Sequence, residues 1–187
     1  MELLRVADQT TVSARIEKIS GKHISQFIDF WLPELEKSQE EDGHWNWFSK
    51  FLSKKDRPSY EIYALECEQE TQGLMMIEFD LHRSRLKPGN NKNLVYVEYL
   101  ATAPWNRRSL SQQVKYKGSG TGLITFAISR SISLQYKGRV GLRALPRAER
   151  FYSKLGMIHV TDSQDQNRLK YFELTEEKAQ EIIDRTA

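Results

Sequence analysis

The chain has little cysteine, little histidine and no long apolar run. Its 187 residues include one cysteine, Cys67, so no disulfide can form within the chain. The four histidines are dispersed, without cysteine neighbours or paired spacing, and give no pattern for a metal site. No apolar stretch approaches membrane-spanning length, and the first residues lack the basic-then-apolar pattern of a signal peptide. We therefore expect a soluble, cytoplasmic protein that uses no metal.

Length and composition favour one well-cored domain. A chain of 187 residues with 39% hydrophobic content is long enough for one core and too short for two large ones. Segments that alternate apolar and polar residues, typical of strands, are interleaved with segments of helical spacing. The pattern predicts an α/β fold in a single domain, 1–187.

The clearest local prediction is a hairpin, with strands at 60–68 and 73–81 joined by a polar turn at 68–72. Pro33 is expected to bend or divide the first helix. The remaining predicted strands lie at 10–19, 94–103, 139–145, 157–161 and 169–174, and the predicted helices lie at 24–41, 45–52, 121–135, 146–155 and from 175 onward.

The positive charge of the chain is concentrated in one block. Residues 101–155 hold eleven Lys and Arg against a single acid, Glu149, whereas the rest of the chain holds 17 Lys and Arg against 24 acids. Such a block attracts anions, although about half of these cations are expected on solvated helix faces. The charge distribution therefore favours an anionic ligand.

A glycine-rich turn lies inside this block, between a strand and the start of a helix. The run Lys117-Gly-Ser-Gly-Thr-Gly122 permits positive φ angles and close backbone approach, so that N–H groups converge on an anion at the helix N-terminus. No Lys-Ser/Thr pair follows Gly122, as a Walker A loop requires, and Leu123 stands where a dinucleotide fingerprint has its third glycine. The turn predicts a phosphate site of another kind.

The same turn resembles the acetyl-CoA loop of the GNAT (GCN5-related N-acetyltransferase) family, [QR]-x-x-G-x-[GA], with Lys117 in the Gln/Arg place. Residues 100–107 resemble the family's fourth strand running into its proline. Residues 148–157 resemble its later helix, with the tyrosine and the closing glycine. The resemblance covers roughly residues 94 to 174, in the family's order.

One segment departs from the family pattern. In the family the glycines follow the basic residue at once, whereas here residues 108–117 separate Arg107 from Gly118. We interpret the segment as an insertion before the helix. It leaves open whether Arg107 or Lys117 binds the pyrophosphate.

The resemblance implies a mixed, mostly antiparallel sheet flanked by helices, with a splayed strand pair that forms the CoA cleft. It places acceptor-side helices and the first strand in 1–60 and the acetyl-CoA core in 94–174. If the strand at 94–103 splays from the strand at 139–145, its backbone would pair with pantetheine; ordinary ladder pairing is the alternative. The implied cofactor-binding residues are Leu100, Ala101, Thr102, Arg107, Lys117, Gly118, Ser119, Gly120, Thr121 and Gly122.

Glu98 is the candidate general base. Strand alternation places it on one face with Tyr96, Leu100 and Thr102, toward the proposed cofactor loop. In the family a carboxylate on this strand often takes the proton of the amine, sometimes through water. The alternative is a carboxylate that only pairs with a neighbouring strand.

Tyr152 is the candidate general acid. It matches the family tyrosine whose hydroxyl group protonates the leaving thiolate of CoA. A phenol is protonated at neutral pH and can donate over a short distance. The alternative is a core tyrosine with a satisfied hydroxyl group.

The resemblance implies an N-acetyltransferase that moves an acetyl group from acetyl-CoA to a primary amine by direct attack in a ternary complex. A non-catalytic acyl-CoA-binding sensor or scaffold of the same fold is the alternative, and direct nucleic-acid binding ranks last. The acceptor amine stays open among a small molecule, a protein and an aminoacyl-tRNA, and a homodimer is left open.

Overall fold

The computed structural model describes residues 1–161 and 169–185. Of the predicted core 94–174, residues 162–168 lie outside the described residues. The chain divides into two compact units: Met1–Met76 with Tyr99–Leu123, and Ile77–Glu98 with Ile124–Ala187. No helix among the described residues is both long and apolar enough to span a membrane.

The described residues form a mixed, mostly antiparallel sheet of nine strands with flanking helices, which confirms the predicted fold class. The strands are β1 Glu2–Arg5, β2 Thr10–Lys18, β3 Tyr60–Cys67, β4 Glu70–Glu78, β5 Val95–Thr102, β6 Tyr116–Lys117, β7 Val140–Ala144, β8 Ile158–Val160 and β9 Lys170–Leu174. The helices are α1 Gly21–Gln26, α2 Leu32–Glu36, α3 Trp47–Lys54, α4 Ser119–Ser133, α5 Glu149–Lys154 and α6 Glu176–Asp184.

The two units share β4 and β5, each of which runs from one unit into the other. In the first unit the strand order is β6-β1-β2-β3-β4-β5, and in the second it is β4-β5-β7-β9-β8. Strands β5 and β7 pair in parallel, whereas β7 with β9 and β8 with β9 are antiparallel.

Two short strands, β1 and β6, were not predicted. They pair with each other at Leu4 and Lys117, and β1 also pairs with β2. Neither is long enough to show a period in the sequence, and their partners are distant along the chain. Leu3 of β1 is 1% exposed, so even this short strand contributes to the core.

The predicted helix at 24–41 is divided, as expected from Pro33, but it ends earlier. A π-helical turn, Phe27–Trp31, separates α1 from α2 and leaves Pro33 in the first turn of α2, where a missing N–H is tolerated. Helix α2 ends at Glu36 because Ser38 bonds the Leu35 carbonyl group through both its amide (3.0 Å) and its hydroxyl (2.7 Å).

The predicted hairpin is present, with a tighter turn. Strands β3 and β4 are neighbours in the sheet, and only Glu68 and Gln69 connect them. Both have positive φ, 50° and 66°, as in the two-residue turns that match the twist of antiparallel strands. Strand β4 therefore begins at Glu70 rather than at residue 73.

The core of the first unit packs its helices against its strands. Two large indoles, Trp31 and Trp47, are 0% and 1% exposed. The other buried members are Phe27, Leu35, Ile62, Ala64, Leu74, Met76, Ala101 and Ala103. Since Ala101 and Ala103 belong to it, this core fixes the end of β5 from which the candidate site begins.

In the second unit, a close contact at Gly138 generates a test of the packing. Gly138 has φ +79°, and a Cβ atom there would lie 2.6 Å from the Ala179 Cβ atom of α6. We expect Gly138→Ala to lower the free energy of unfolding by about 1–3 kcal/mol, measured by chemical denaturation. Gly21→Ala is the control, because nothing lies within 4 Å of that Cβ position. Equal stability of Gly138→Ala and wild type would contradict the packing.

Candidate functional site

The start of α4 presents backbone amides that have no partner within the helix. Gly118 has φ +104° and turns the chain out of β6, so that α4 begins at Ser119. The first bond of the helix runs from the Gly122 amide to the Gly118 carbonyl at 2.8 Å. The amides of Ser119, Gly120 and Thr121 therefore have no acceptor within α4, and the helix dipole favours an anion beside them.

A cavity of about 220 Å³ opens at the first two residues of α4, Ser119 and Gly120. Its lining residues are Thr102, Asn106, Arg108, Val114, Tyr116, Lys117, Gly118, Ser119 and Gly120. The structure thus brings the end of β5 together with the predicted glycine turn. The lining contains two cations and no carboxylate, a composition that suits a phosphate group.

Ser119 supplies a buried hydroxyl group in the wall of this cavity. The residue is 3% exposed, and its Oγ atom has no hydrogen-bond partner among the described residues. Leaving such a group unsatisfied costs on the order of 1–3 kcal/mol. A ligand oxygen in the cavity would satisfy it, so the orphaned hydroxyl group fits a phosphate ligand.

Arg107 lies beside this cavity, but its guanidinium group is bonded elsewhere. Its Nη1 and Nη2 atoms donate to the two carboxylate oxygens of Asp42 at 2.6 and 2.7 Å, and Nη1 also donates to Glu40 at 3.2 Å. Its Nε atom donates to the Thr102 carbonyl group at 2.9 Å. Cofactor binding by Arg107 stays a prediction, and these contacts give the side chain a structural role.

Arg108 is the cation that the sequence analysis did not single out. It lines the cavity, and it has no ion-pair partner in the part of the chain that the structure describes. The adjacent cations Arg107 and Arg108 cannot be told apart by spacing alone. The roles of the two arginines differ because Arg107 has acidic partners in the fold, whereas Arg108 lines the cavity.

The inserted segment 108–117 borders a second cavity of about 360 Å³, which shares Arg108, Val114 and Lys117 with the first. The segment is tied to the β3–β4 hairpin at its end, where the Tyr116 hydroxyl group donates to Glu68. The amide of Tyr116 also donates to the Asn106 side chain at 2.8 Å. The insertion therefore forms part of the wall of the candidate site.

The two strands predicted to splay, β5 and β7, pair over only part of their lengths. In the described residues, Val95–Val97 pair with Val140–Leu142, although β5 continues to Thr102 and β7 to Ala144. Ladder pairing between β5 and β7 is thus limited to three residue pairs. On its other side the end of β5 is held by the Ala103 amide, which donates to the Gln72 carbonyl at 3.1 Å.

The two catalytic candidates belong to the second unit. Glu98 is half-buried on β5. Tyr152 is 6% exposed on α5, with its ring 5.1 Å from that of Phe151 and 6.2 Å from that of Phe172. Burial raises the pKa of Tyr152, so its hydroxyl group keeps its proton at neutral pH. Their catalytic roles stay predictions.

Among the described residues, the fold also brings together one set of metal-type ligands that sequence spacing did not indicate. Ligand atoms of Glu17, His23 and Glu66 lie within 4.8 Å of one another. The His23 Nδ1 atom accepts from the Ser20 amide at 3.0 Å, so a neutral ring carries its proton on Nε2, where a metal ligand must be unprotonated.

The same cluster already has its own cations. Glu66 pairs with Arg15 at 2.8 Å and with Lys22. Burial lowers the pKa of His23, which keeps the ring neutral between the carboxylates. The cluster is therefore better described as an ion-pair network than as a metal centre.

No family model matches the sequence, and no curated protein matches it either. Solved structures do match. Spermidine N-acetyltransferase from Vibrio cholerae, in complex with CoA and spermine, aligns with TM-score 0.60 and 13% identity over 89% of this chain and 98% of that one. A mutant AtaT toxin bound to the C-terminus of the antitoxin AtaR aligns with TM-score 0.56 and 19% identity over 91% and 97%.

The Bacillus subtilis N-acetyltransferase YlbP, in complex with CoA, aligns with TM-score 0.50 and 12% identity over 87% of this chain and 96% of that one. At these identities the similarity is one of fold. The fold is that of the GNAT acetyltransferases, which confirms at this level the resemblance seen in the sequence.

The Arg107 contacts predict a large stability effect. Asp42→Ala leaves a guanidinium group with 10% side-chain exposure without its main partner. We expect the free energy of unfolding to fall by about 3 kcal/mol in urea denaturation. Glu34→Ala is the control, since Glu34 pairs with Lys37 at 4.0 Å on the surface and should change stability by less than about 1 kcal/mol. Similar losses in the two variants would contradict the structural role of Arg107.

Proposed function

We propose that the chain is an acetyl-CoA-dependent N-acetyltransferase that transfers the acetyl group to a primary amine by direct attack within a ternary complex. The observation that carries the proposal is the cavity at the start of α4. Unpaired amides, the orphaned Ser119 hydroxyl group and two cations meet there without a carboxylate in the lining. The solved proteins of the same fold include several in complex with CoA or acetyl-CoA, which supports this ligand.

The residues of this cavity would hold the diphosphate of the cofactor. The amides of 119–121 and the Ser119 hydroxyl group can donate to phosphate oxygens, and Arg108 and Lys117 can neutralise them. The backbone of Leu100, Ala101 and Thr102 would pair with the pantetheine arm, since β5 runs on beyond its pairing with β7. Acetyl-CoA supplies an activated thioester acyl group when bound.

The candidate catalytic side chains have complementary tasks. An amine must lose a proton before it can attack. The carboxylate of Glu98 on β5 would accept that proton, directly or through water. The departing sulfur needs a proton, and the buried hydroxyl group of Tyr152 holds one at neutral pH. Acid and base are thus drawn from different elements, α5 and β5.

The acceptor is an amine, and whether it belongs to a small molecule, a protein or an aminoacyl-tRNA stays open. A run of acidic residues at 34–42 could attract a cationic amine, but two of them, Glu40 and Asp42, already bind Arg107. Spermine bound to the Vibrio cholerae enzyme and the antitoxin bound to AtaT point to different acceptors and partners among proteins of this fold.

The proposal is tested by cofactor-dependent stabilisation followed by turnover. Acetyl-CoA should raise the melting temperature, whereas ATP and NAD should not, and release of the CoA thiol should depend on an added amine from a panel. Binding without amine-dependent thiol release would favour the sensor or scaffold module. Stabilisation by ATP or NAD alone would contradict both.

The cavity predicts which cations bind the cofactor. Arg108→Ala and Lys117→Ala should each weaken acetyl-CoA binding about tenfold in calorimetry, because each loses a charge-assisted contact to phosphate. Arg57→Ala, an exposed arginine of the same unit outside the cavity, should leave the affinity unchanged. Equal affinities of all three variants would contradict the assignment of the phosphate site.

Removal of one oxygen atom tests the acid. Tyr152→Phe should lower kcat about 100-fold while acetyl-CoA affinity stays within about twofold, since the hydroxyl group acts only on the departing sulfur. Tyr60→Phe is the matched control. A Tyr152→Phe enzyme with the rate of wild type would remove this tyrosine from the mechanism.

A further inference from the structure

A second polar cluster lies in the second unit, where β4 ends. Glu78, the last residue of β4, is 0% exposed. Its Oε1 atom accepts hydrogen bonds from the amides of Asp80 at 2.6 Å and Leu81 at 2.7 Å, and so fixes the bend that follows the strand. Its Oε2 atom is buried and has no hydrogen-bond partner among the residues described. A buried carboxylate oxygen without a partner calls for a nearby donor.

The imidazole of His82 is the group that faces this oxygen. Its Nε2 atom lies 4.0 Å from Glu78 Oε2. The His82 ring stacks on that of Tyr96, with centroids 3.8 Å apart and an angle of 15° between the planes. Tyr96 and Glu98 are two residues apart on β5, so their side chains share one face of the strand. His82 therefore lies over the face that carries the candidate base.

The surroundings of His82 select a proton-accepting form. A proton on Nε2 would face the Glu78 carboxylate across the 4.0 Å gap, an electrostatic preference that would leave the Nδ1 lone pair available. The side chain is 42% exposed, so a substrate can reach it.

Charged groups from several elements act on the same ring. Burial lowers the pKa of His82, and Arg85 and Arg143 act in the same direction, whereas Glu78 and Glu98 oppose them. The net effect is a neutral imidazole at pH 7. The two carboxylates nevertheless stabilise the imidazolium that forms when a proton arrives.

We propose that His82, oriented by Glu78, takes the proton from the acceptor amine in place of Glu98, an inference that rests on the proposed acetyltransferase function and changes only its choice of base. The N–H bond of the ammonium breaks, its electron pair stays on nitrogen, and the proton forms a bond with Nδ1. Glu98 stabilises the imidazolium across the shared face, and the proton then leaves to solvent from the exposed ring. Glu78 is a positioning residue, because it acts through His82.

His82→Phe keeps a ring to stack on Tyr96 and removes the titrating nitrogens. We expect kcat to fall about 100-fold with acetyl-CoA affinity within about twofold of wild type. The wild-type kcat/KM should fall as pH drops below the ordinary histidine pKa, because imidazolium cannot accept a proton, and this acidic limb should vanish in His82→Phe. His159→Phe, an exposed histidine of β8, is the control and should retain both rate and limb.

A measurement without turnover tests the geometry separately. Nitrogen NMR of the wild-type protein should show His82 as the Nε2–H tautomer with a pKa below the ordinary value, and Glu78→Gln should lower that pKa further by removing a carboxylate. An Nδ1–H tautomer would overturn the proposal, as would a His82→Phe enzyme with an unchanged rate and acidic limb. If wild type acetylates no amine, the proposed function fails; if wild type is active and His82→Phe equals it, only the role of His82 fails.

Discussion

The candidate site depends on one backbone constraint, the left-handed turn at Gly118 between β6 and α4. Strand β6 is held by pairing with β1, and the Tyr116 amide is held by Asn106. With φ +104° at Gly118 the chain turns at once into α4, so the first residues of that helix, Ser119 and Gly120, line one cavity and the buried Ser119 hydroxyl group lies in its wall. Without that turn the charges of the surrounding block would have no donor array to act with.

Two neighbouring arginines show how the fold divides a basic sequence between structure and binding. Arg107 binds Asp42 and Glu40 of the segment between α2 and α3 and the Thr102 carbonyl group of β5, which fixes the chain before the inserted segment. Arg108, one residue later, lines the cavity instead. The positive block is therefore partly neutralised from within, and a smaller number of cations is left for a ligand.

Local signals in the sequence were enough to find the hairpin, the glycine turn and the helix that carries Tyr152, because each depends on residues close together in the chain. Contacts between distant segments were not predictable in this way. The acidic partners of Arg107 are 65 and 67 residues away in the chain. Sequence spacing therefore did not show that Arg107, which we expected to bind phosphate, binds carboxylates of the protein. Strands β1 and β6 are too short to show a period. The pairing of His82 with Glu78 depends on a bend and on burial, neither of which a single histidine in the sequence indicates.

The most direct test of the central claim is an amide chemical-shift titration of the isotope-labelled protein with CoA. If the start of α4 binds the diphosphate of CoA, the amides of Ser119, Gly120 and Thr121 should show the largest saturable shifts. Saturable shifts elsewhere, with these three amides unchanged, would contradict the claim.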